Sequence, residues 1–278
     1  MFGRRQTPAK TADQLVLMRR AGLLVGQTLE MLRGEIRDGR TTLELDALAE
    51  ELIRSHGGVP NFQLVPGYAH TLCTSVNDEV VHGIPGGRVL RDGDLLSVDC
   101  GAELDGWNGD AAISVVVGGP AAASQDDLRL VAATEEALWA GIGALAVGER
   151  LYAVGEAVEA RIETAGLEHG HDYGIIEEYV GHGIGRSMHE DPQIPNYAVR
   201  DRGPVVRSGF TGAIEPMVTY GRSATRVLAD DWTVVTTDGS RAAHWEHSVA
   251  VTDAGLTVLT AVDGGAARLG VAFTPLDA

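Results

Sequence analysis

Asp99 and Asp110, eleven positions apart, are the residues in this 278-residue chain whose spacing says most about chemistry. Strand-like runs on either side of Asp105-Gly106 read as a β-hairpin with a carboxylate on each arm. Carboxylates facing each other across two strands repel unless a cation sits between them, so the pair points to a metal site. Glu246 stands in another strand-like run after the Asp238-Gly239 turn, and with Glu215 it forms a second acid pair that mirrors the first. Between the pairs lies the motif Gly181-His182-Gly183-Ile184-Gly185, whose glycines leave His182 room to approach an ion. Asp99, Asp110, His182, Glu215 and Glu246 thus make a set of four carboxylates and one imidazole. Such a set suits divalent manganese, iron, cobalt or zinc. Four carboxylates around one ion would leave excess negative charge, whereas two ions sharing some of them would balance it. Two ions about 3.5–4 Å apart can share a water, lower its pKa and hold a carbonyl oxygen under attack, which is the chemistry of amide or ester hydrolysis.

Taken singly, none of the five is persuasive. Most acidic residues in a chain with 39 of them are solvated surface charges, and a lone Asp in a hairpin is usually a turn residue. No His-Glu-x-x-His helix is present. His169 and His171 read as loop residues, His56 as a helix-end residue, and His244 and His247 as neighbours of Glu246.

The elements that must position these residues repeat. Thr11 to Gln14 has the form of a capping box and leads into an apolar series through Leu15, Met18, Leu23 and Leu29. Asp38-Gly39-Arg40 breaks it, and Thr41 to Glu44 starts a second helix that ends near His56-Gly57-Gly58. Strands are predicted over 89–99 and 110–117. The second half has the same plan: a helix capped by Ser124 and running to about Gly141, a break at Val147-Gly148, and a helix over about 151–165. Residues 205–215 then align with 89–99 without a gap, placing Glu215 where Asp99 stood, while Gly39 aligns with Gly148 and Gly57 with Gly166. A helix pair followed by a sheet unit, twice over, predicts one α+β domain with pseudo-twofold symmetry, in which the acids of both halves converge in the middle.

The bulk composition fits a globular protein, at 44% apolar and 22% charged residues. A net charge of −17 argues against nonspecific binding to nucleic acid or anionic membranes, since phosphate contact relies on Lys and Arg. Arg4, Arg5 and Lys10 form only a short basic patch. Two cysteines, Cys73 and Cys100, exclude a disulfide framework and a four-cysteine zinc site. Without a signal sequence or an apolar run of about 20 residues, a soluble cytoplasmic protein is expected.

Five motifs, in order, carry a resemblance. They are Asn77 to Pro85 around His82, Val98-Asp99 through Asp110, Gly181-His182 through His189 to Pro192, Ile214-Glu215-Pro216-Met217, and Trp232 through Trp245-Glu246-His247. Together they resemble the bacterial type I methionine aminopeptidases over about 11–259. The resemblance implies the pita-bread (creatinase/aminopeptidase-like) fold, with a flexible extension over 1–10, a catalytic domain over 11–260 and a tail over 261–278. It implies two divalent metal ions (cobalt, manganese, iron or zinc) on Asp99, Asp110, His182, Glu215 and Glu246, with Asp110 and Glu246 bridging. It further implies that Glu215 takes a proton from the attacking water, that His82 contacts the scissile amide, and that His189 stabilises the oxyanion, a contribution typically worth about 3 kcal/mol. The family's methionine pocket falls on Phe62, Val65, Tyr68, Cys73, Met188 and Trp232. An apolar wall with a thiol and an indole suits a thioether, because sulfur packs well on aromatic edges. Cys73 accordingly reads as pocket wall and not as nucleophile. Phe62, Val65 and Met188 depart from the commonest family residues, which bears on pocket shape and not on reaction class.

The expected reaction is removal of the initiator methionine from nascent proteins with a small second residue, by a cytoplasmic monomer whose short basic patch could touch the ribosome. With Phe2 after Met1, the chain is expected to keep its own methionine. One alternative is an Xaa-Pro aminopeptidase or prolidase, which shares the ligand set but usually carries a large extra N-terminal domain, whereas only about ten residues precede the first helix in this sequence. The other is a metal-free binding protein on the same scaffold, against which all five ligand positions and both histidines stand intact.

Overall fold

The computed structural model describes residues 6–276; Met1, Phe2 and the Arg4-Arg5 part of the basic patch lie outside them. The first half begins with α1 (Ala12–Glu35) and α2 (Thr42–Ser55), each entered through a full capping box, Thr11 with Gln14 and Thr41 with Glu44. Short strands β1 (Val59–Pro60), β2 (Leu72–Val76) and β3 (Glu79–Val81) follow, then the long hairpin β4 (Leu95–Leu104) and β5 (Trp107–Val116). The second half repeats the helix pair as α3 (Gln125–Gly143) and α4 (Ala153–His169), with Ser124 accepting from the Asp127 N–H as the cap of α3. Its strands are β6 (Gly174–Ile175), β7 (Gly181–Gly183), β8 (Glu190–Ile194), β9 (Phe210–Ile214), β10 (Met217–Thr219), β11 (Thr225–Val227), β12 (Val234–Thr236), β13 (Ala242–His244), β14 (Glu246–Thr252) and β15 (Gly255–Val258).

One nine-stranded antiparallel sheet, with the main order β1-β4-β5-β14-β9-β7-β8, joins the halves at the β5–β14 contact. The helices pack on one side, and Leu45, Ile53, Leu96, Leu138, Ile142 and Val249 belong to the core between the layers. At α1 the packing leaves no room for side chains. A Cβ on Gly109 of β5 would stand 2.7 Å from the Gly22 Cα, and one on Gly22 would stand 2.5 Å from the Leu259 carbonyl oxygen. The helix backbone therefore rests directly on the strand that carries Asp110.

Several expected boundaries moved. Residues 89–94 form a bridge and turn, and the strand begins at Leu95, because Asp94 accepts from Arg91 N–H and the chain reverses there. The aligned segment behaves alike, with β9 starting at Phe210 rather than at 205. Gly166 lies inside α4, which ends at His169 and is capped by Gly170 in the left-handed region at φ 65°. Of the extension expected over 1–10, residues from Gln6 onward run beside the second half, with Thr7 N–H donating to Val205 O and Lys10 N–H to Gly209 O. Beyond residue 260 the chain folds back, and Thr274 N–H donates to Leu256 O. Among the described residues no helix is long and apolar enough to cross a membrane.

Candidate metal centre

Hairpin geometry places the first two acids. Asp105 and Gly106, at φ 53° and 74°, form the two-residue turn that Asp-Gly favours in a right-twisted hairpin. The resulting register sets Asp99 opposite Ala112 and Asp110 opposite Gly101. The two carboxylates are thus diagonal neighbours on one face rather than directly opposed. Glu246 pairs with Ala112 from the other side, so Asp99, Ala112 and Glu246 form one row across β4, β5 and β14. His182 pairs with Ala213 of β9, and Glu215 follows that strand by one residue. Continuing the β9–β14 register one step past His247↔Ile214 sets Glu215 opposite Glu246.

The five residues converge. Ligand-capable atoms lie within 4.8 Å of one another in three overlapping groups: Asp99, Asp110 and Glu246; His182, Glu215 and Glu246; and Asp110, His182 and His189. Asp110, Glu246 and His182 are the members that link one group to the next. His189, expected only as a hydrogen-bond donor, reaches this range as well, and its ring stands 4.3 Å from that of His182 at 73°.

The electrostatics call for a cation. His182 Nδ1–H donates to the Gly183 carbonyl at 2.9 Å, which turns the unprotonated Nε2 lone pair inward. That nitrogen faces Glu215 Oε1 at 3.5 Å. Burial, reinforced by His189, holds the His182 pKa down at about 4, so the imidazole is neutral at pH 7 and the contact is not an ion pair. Asp99 Oδ1, Asp110 Oδ1 and Glu246 Oε1 are buried without a hydrogen-bond partner among the described residues. Burial raises the pKa of Asp99 to about 7. The carboxyls of Asp110, Glu215 and Glu246 are driven well upward, by burial first and then by one another's charge. Four buried carboxyls and a neutral imidazole crowded together, with three oxygens unpartnered, fit divalent cations, which would displace protons from the acids.

The cluster opens into a cavity of about 200 Å³ whose wall includes Phe62, Val65, Tyr68, Cys73, Met188 and Trp232, with His82 and His189 also lining it. A larger open depression of about 720 Å³ between α4 and the β6 loop holds none of the cluster residues, so the smaller cavity is the relevant one. Tyr68 is the centre of the wall, with ring centroids 4.9 Å from Trp232 and 6.4 Å from Phe62. Its hydroxyl donates to the Leu72 carbonyl at 2.7 Å. Burial pushes the Cys73 thiol up, away from the reactive thiolate. His82 sits at φ 61° with its ring 5.3 Å from Tyr179, and burial lowers its pKa to about 4, leaving a neutral donor.

Some contributors were not named from the sequence. Val81 lines the cavity and Ile84 packs on the wall; their place beside His82 in one motif was the available signal. Asp46, from α2, is less visible. Its Oδ1 accepts from Thr71 N–H and Leu72 N–H, both at 2.8 Å, and its Oδ2 faces His70 Nδ1 at 3.3 Å. It thereby ties the Tyr68 loop to the helix, and nothing in its local sequence distinguishes it from a surface acid. His247 points to the back of the sheet, bonding Thr260 Oγ1 through Nδ1 at 2.8 Å. His244 is buried with both ring nitrogens unpartnered, and its Nε2 lies 3.9 Å from Glu246 Oε2. His169 is the last residue of α4 rather than a loop residue.

Comparison with known proteins agrees with this geometry. The model for metallopeptidase family M24 matches residues 16–253. Methionine aminopeptidase 1 of Mycobacterium tuberculosis is 50% identical over 259 residues, covering 93% of this chain and 96% of that protein. Methionine aminopeptidase 1 of Bacillus subtilis is 44% identical, covering 91% and 98%. Among solved structures, methionine aminopeptidase from Thermotoga maritima superposes with a TM-score of 0.86 at 39% identity, covering 92% of this chain and 99% of that one. A prolidase from Pyrococcus horikoshii, at 19% identity and a TM-score of 0.65, shares the fold, and this chain spans 63% of its length. Family match, relatives and fold together show that the chain belongs to metallopeptidase family M24 and, within it, to the bacterial methionine aminopeptidases.

Proposed function

We propose that this divalent-metal-dependent exopeptidase removes the N-terminal methionine from newly made proteins whose second residue is small. One observation carries the reading: a cluster of four buried carboxyls and a neutral imidazole, three of its oxygens unpartnered, opens directly onto an apolar cavity walled by aromatic rings and sulfur. The carboxylates of Asp99, Asp110, Glu215 and Glu246 and the Nε2 of His182 would hold two ions, Asp110 and Glu246 being shared, and their donor set suits manganese, iron, cobalt or zinc. When bound, such ions neutralise the carboxylates, make water acidic near neutral pH and polarise a carbonyl.

The chain's own groups supply the rest. The methionine side chain enters between Tyr68, Trp232, Phe62 and Cys73, where the thioether meets aromatic edges. Glu215 accepts a proton from the attacking water as the oxygen–carbon bond forms, and returns it to the departing nitrogen as the carbon–nitrogen bond breaks. His189, at the cavity mouth, donates to the oxygen on which charge develops, and His82, neutral at pH 7, donates to the scissile amide. Both act as neutral donors, so neither needs to lose a proton during turnover. Residues 11–260 serve as the catalytic unit, and a single chain carries every group named.

A peptidase assay after cation reconstitution tests this, comparing Met-Ala, Met-Leu and Ala-Pro peptides. Cleavage of the Met-Ala substrate well ahead of Met-Leu is expected. Cleavage of the Ala-Pro substrate alone would overturn the reading in favour of an Xaa-Pro peptidase.

A further inference from the structure

The halves of the sheet meet along a short seam. Between β5 and β14 only Ala112↔Glu246 and Ala111↔His247 pair as a ladder. Two residues from the Ala112–Glu246 pair on either side, a serine hydroxyl takes over. Ser248 Oγ accepts from the Asp110 N–H at 3.0 Å and donates to the Asp110 carbonyl at 2.8 Å. Ser114 Oγ accepts from the His244 N–H at 2.8 Å and donates to the His244 carbonyl at 2.8 Å. Each half thus grips the main chain of the other through one serine, reciprocally, about the pair that carries Glu246.

The backbone of Ser248 explains why a side chain is needed there. β14 changes partners at this residue, since His247 still pairs with β5 whereas Val249 pairs with Val258 of β15. Ser248 N–H donates to Thr260 Oγ1 at 3.1 Å, and its carbonyl accepts from Leu259 N–H at 2.8 Å. With its main chain committed to the 259–260 segment, its hydroxyl is what remains to hold Asp110. Both residues are buried, so an Asp110 N–H deprived of Ser248 has no solvent to turn to. Asp110 Oδ1 has no hydrogen-bond partner among the described residues, and the carboxyl's backbone contact is with the adjacent Ala111, so the carboxylate's aim depends on how the main chain at 110–111 is held.

We propose that Ser248 is a positioning residue for the metal centre: its hydroxyl fixes the main chain of Asp110 at the seam and so sets the Asp110 carboxylate against that of Glu246. The proposal rests on the reading of those two acids as shared ligands. Partners that orient ligating groups in this way typically affect cation affinity about 10–100-fold.

The test loads Ser248→Ala, Ser248→Thr and Ser114→Ala with Mn(II). Calorimetric titration gives affinity, electron paramagnetic resonance gives coupling between ions, and circular dichroism with a thermal midpoint monitors the fold. Ser248→Ala is expected to weaken Mn(II) binding about 10–100-fold and to replace the spin-coupled spectrum by that of isolated ions. Ser248→Thr keeps the hydroxyl and restores both. Ser114→Ala loses its two hydrogen bonds at the same seam and a third with Ser97 Oγ, without touching Asp110, and it lowers the thermal midpoint while leaving Mn(II) affinity at the wild-type level. The proposal is overturned if Ser248→Ala binds Mn(II) like the wild type, if Ser248→Thr is equally impaired, or if Ser114→Ala weakens binding as much as Ser248→Ala. Should Ser248→Ala fail to fold, Ser248→Cys, of similar shape but a weak hydrogen-bonder, takes its place. A wild type that binds a single ion without a coupled spectrum refutes the two-ion reading; the Ser248 assignment is then decided by the same comparisons of affinity for that one ion.

Discussion

Replacing Asp46 should damage methionine recognition without touching the metal centre. In Asp46→Ala the buried N–H groups of Thr71 and Leu72 lose the single oxygen that accepts both of them at 2.8 Å. An orphaned buried donor costs about 1–3 kcal/mol, so the pair costs about 2–6 kcal/mol. At about 2–4 °C per kcal/mol for a chain of this size, the thermal midpoint falls by about 10 °C. The same loss frees the loop whose Tyr68 hydroxyl holds Leu72 and whose ring meets Trp232. A sulfur–aromatic contact is worth about 0.3–1.5 kcal/mol, so KM for a methionyl peptide rises about 2- to 12-fold while kcat changes little. Asp46→Asn keeps an oxygen in the accepting position and should behave much like the wild type. The checks are urea or thermal unfolding, steady-state kinetics on a Met-Ala peptide, and cation stoichiometry, which stays constant in both variants. The reasoning fails if Asp46→Ala unfolds at the wild-type midpoint with unchanged KM, or if Asn proves as harmful as Ala.

Three further outcomes follow from the geometry. Cation removal should destabilise the protein more at pH 8 than at pH 5. Burial raises the Asp99 pKa from 3.8 to about 7 on folding, so its contribution to stability is complete below pH 3.8 and is lost as pH climbs through 7. Bound cations displace those protons, so the gap in midpoint between loaded and stripped protein must widen with pH; a gap that narrows would rule out Asp99 protonation as its source. Gly109→Ala drives a methyl into the Gly22 backbone and is expected to cost at least about 1–3 kcal/mol, measured by urea unfolding. Gly34→Ala, where a Cβ meets nothing within 4 Å, serves as the contrast and is expected to be neutral to mildly stabilising. Asp110→Ala should abolish peptidase activity and lower the number of cations bound, read by activity assay and metal analysis; near-normal turnover with full stoichiometry would exclude Asp110 as a shared ligand.

Much of the scaffold was legible in the chain because local chemistry writes it. Thr11, Thr41 and Ser124 cap helices where their hydroxyls can reach a backbone N–H three residues on, and Asp105-Gly106 turns where positive φ is needed. These are short-range interactions between residues adjacent in sequence, and a pattern of neighbours suffices to find them. Boundaries were less legible. A strand was expected from residue 89, yet Asp92-Gly93-Asp94 turn the chain, and the strand begins only where β5 and β2 offer partners.

The division is sharpest at the metal centre. The sequence by itself determined the donor types: four carboxylates and an imidazole, in two mirrored halves, belonging to a recognisable family. The two-residue Asp105-Gly106 turn sets Asp99 and Asp110 diagonally within their hairpin, and tertiary structure decided the rest of the arrangement. It laid Glu246 in the same row as Asp99 through Ala112 and turned the His182 lone pair toward Glu215. It also recruited Asp46 and Ser248, an acid and a hydroxyl with no local signature, to hold the Tyr68 loop and the main chain of Asp110. The reason is physical. A side chain's type is carried by one residue, but its direction depends on strand register and on partners 25 to 138 positions away, and those distances close only when the two halves of the sheet come together.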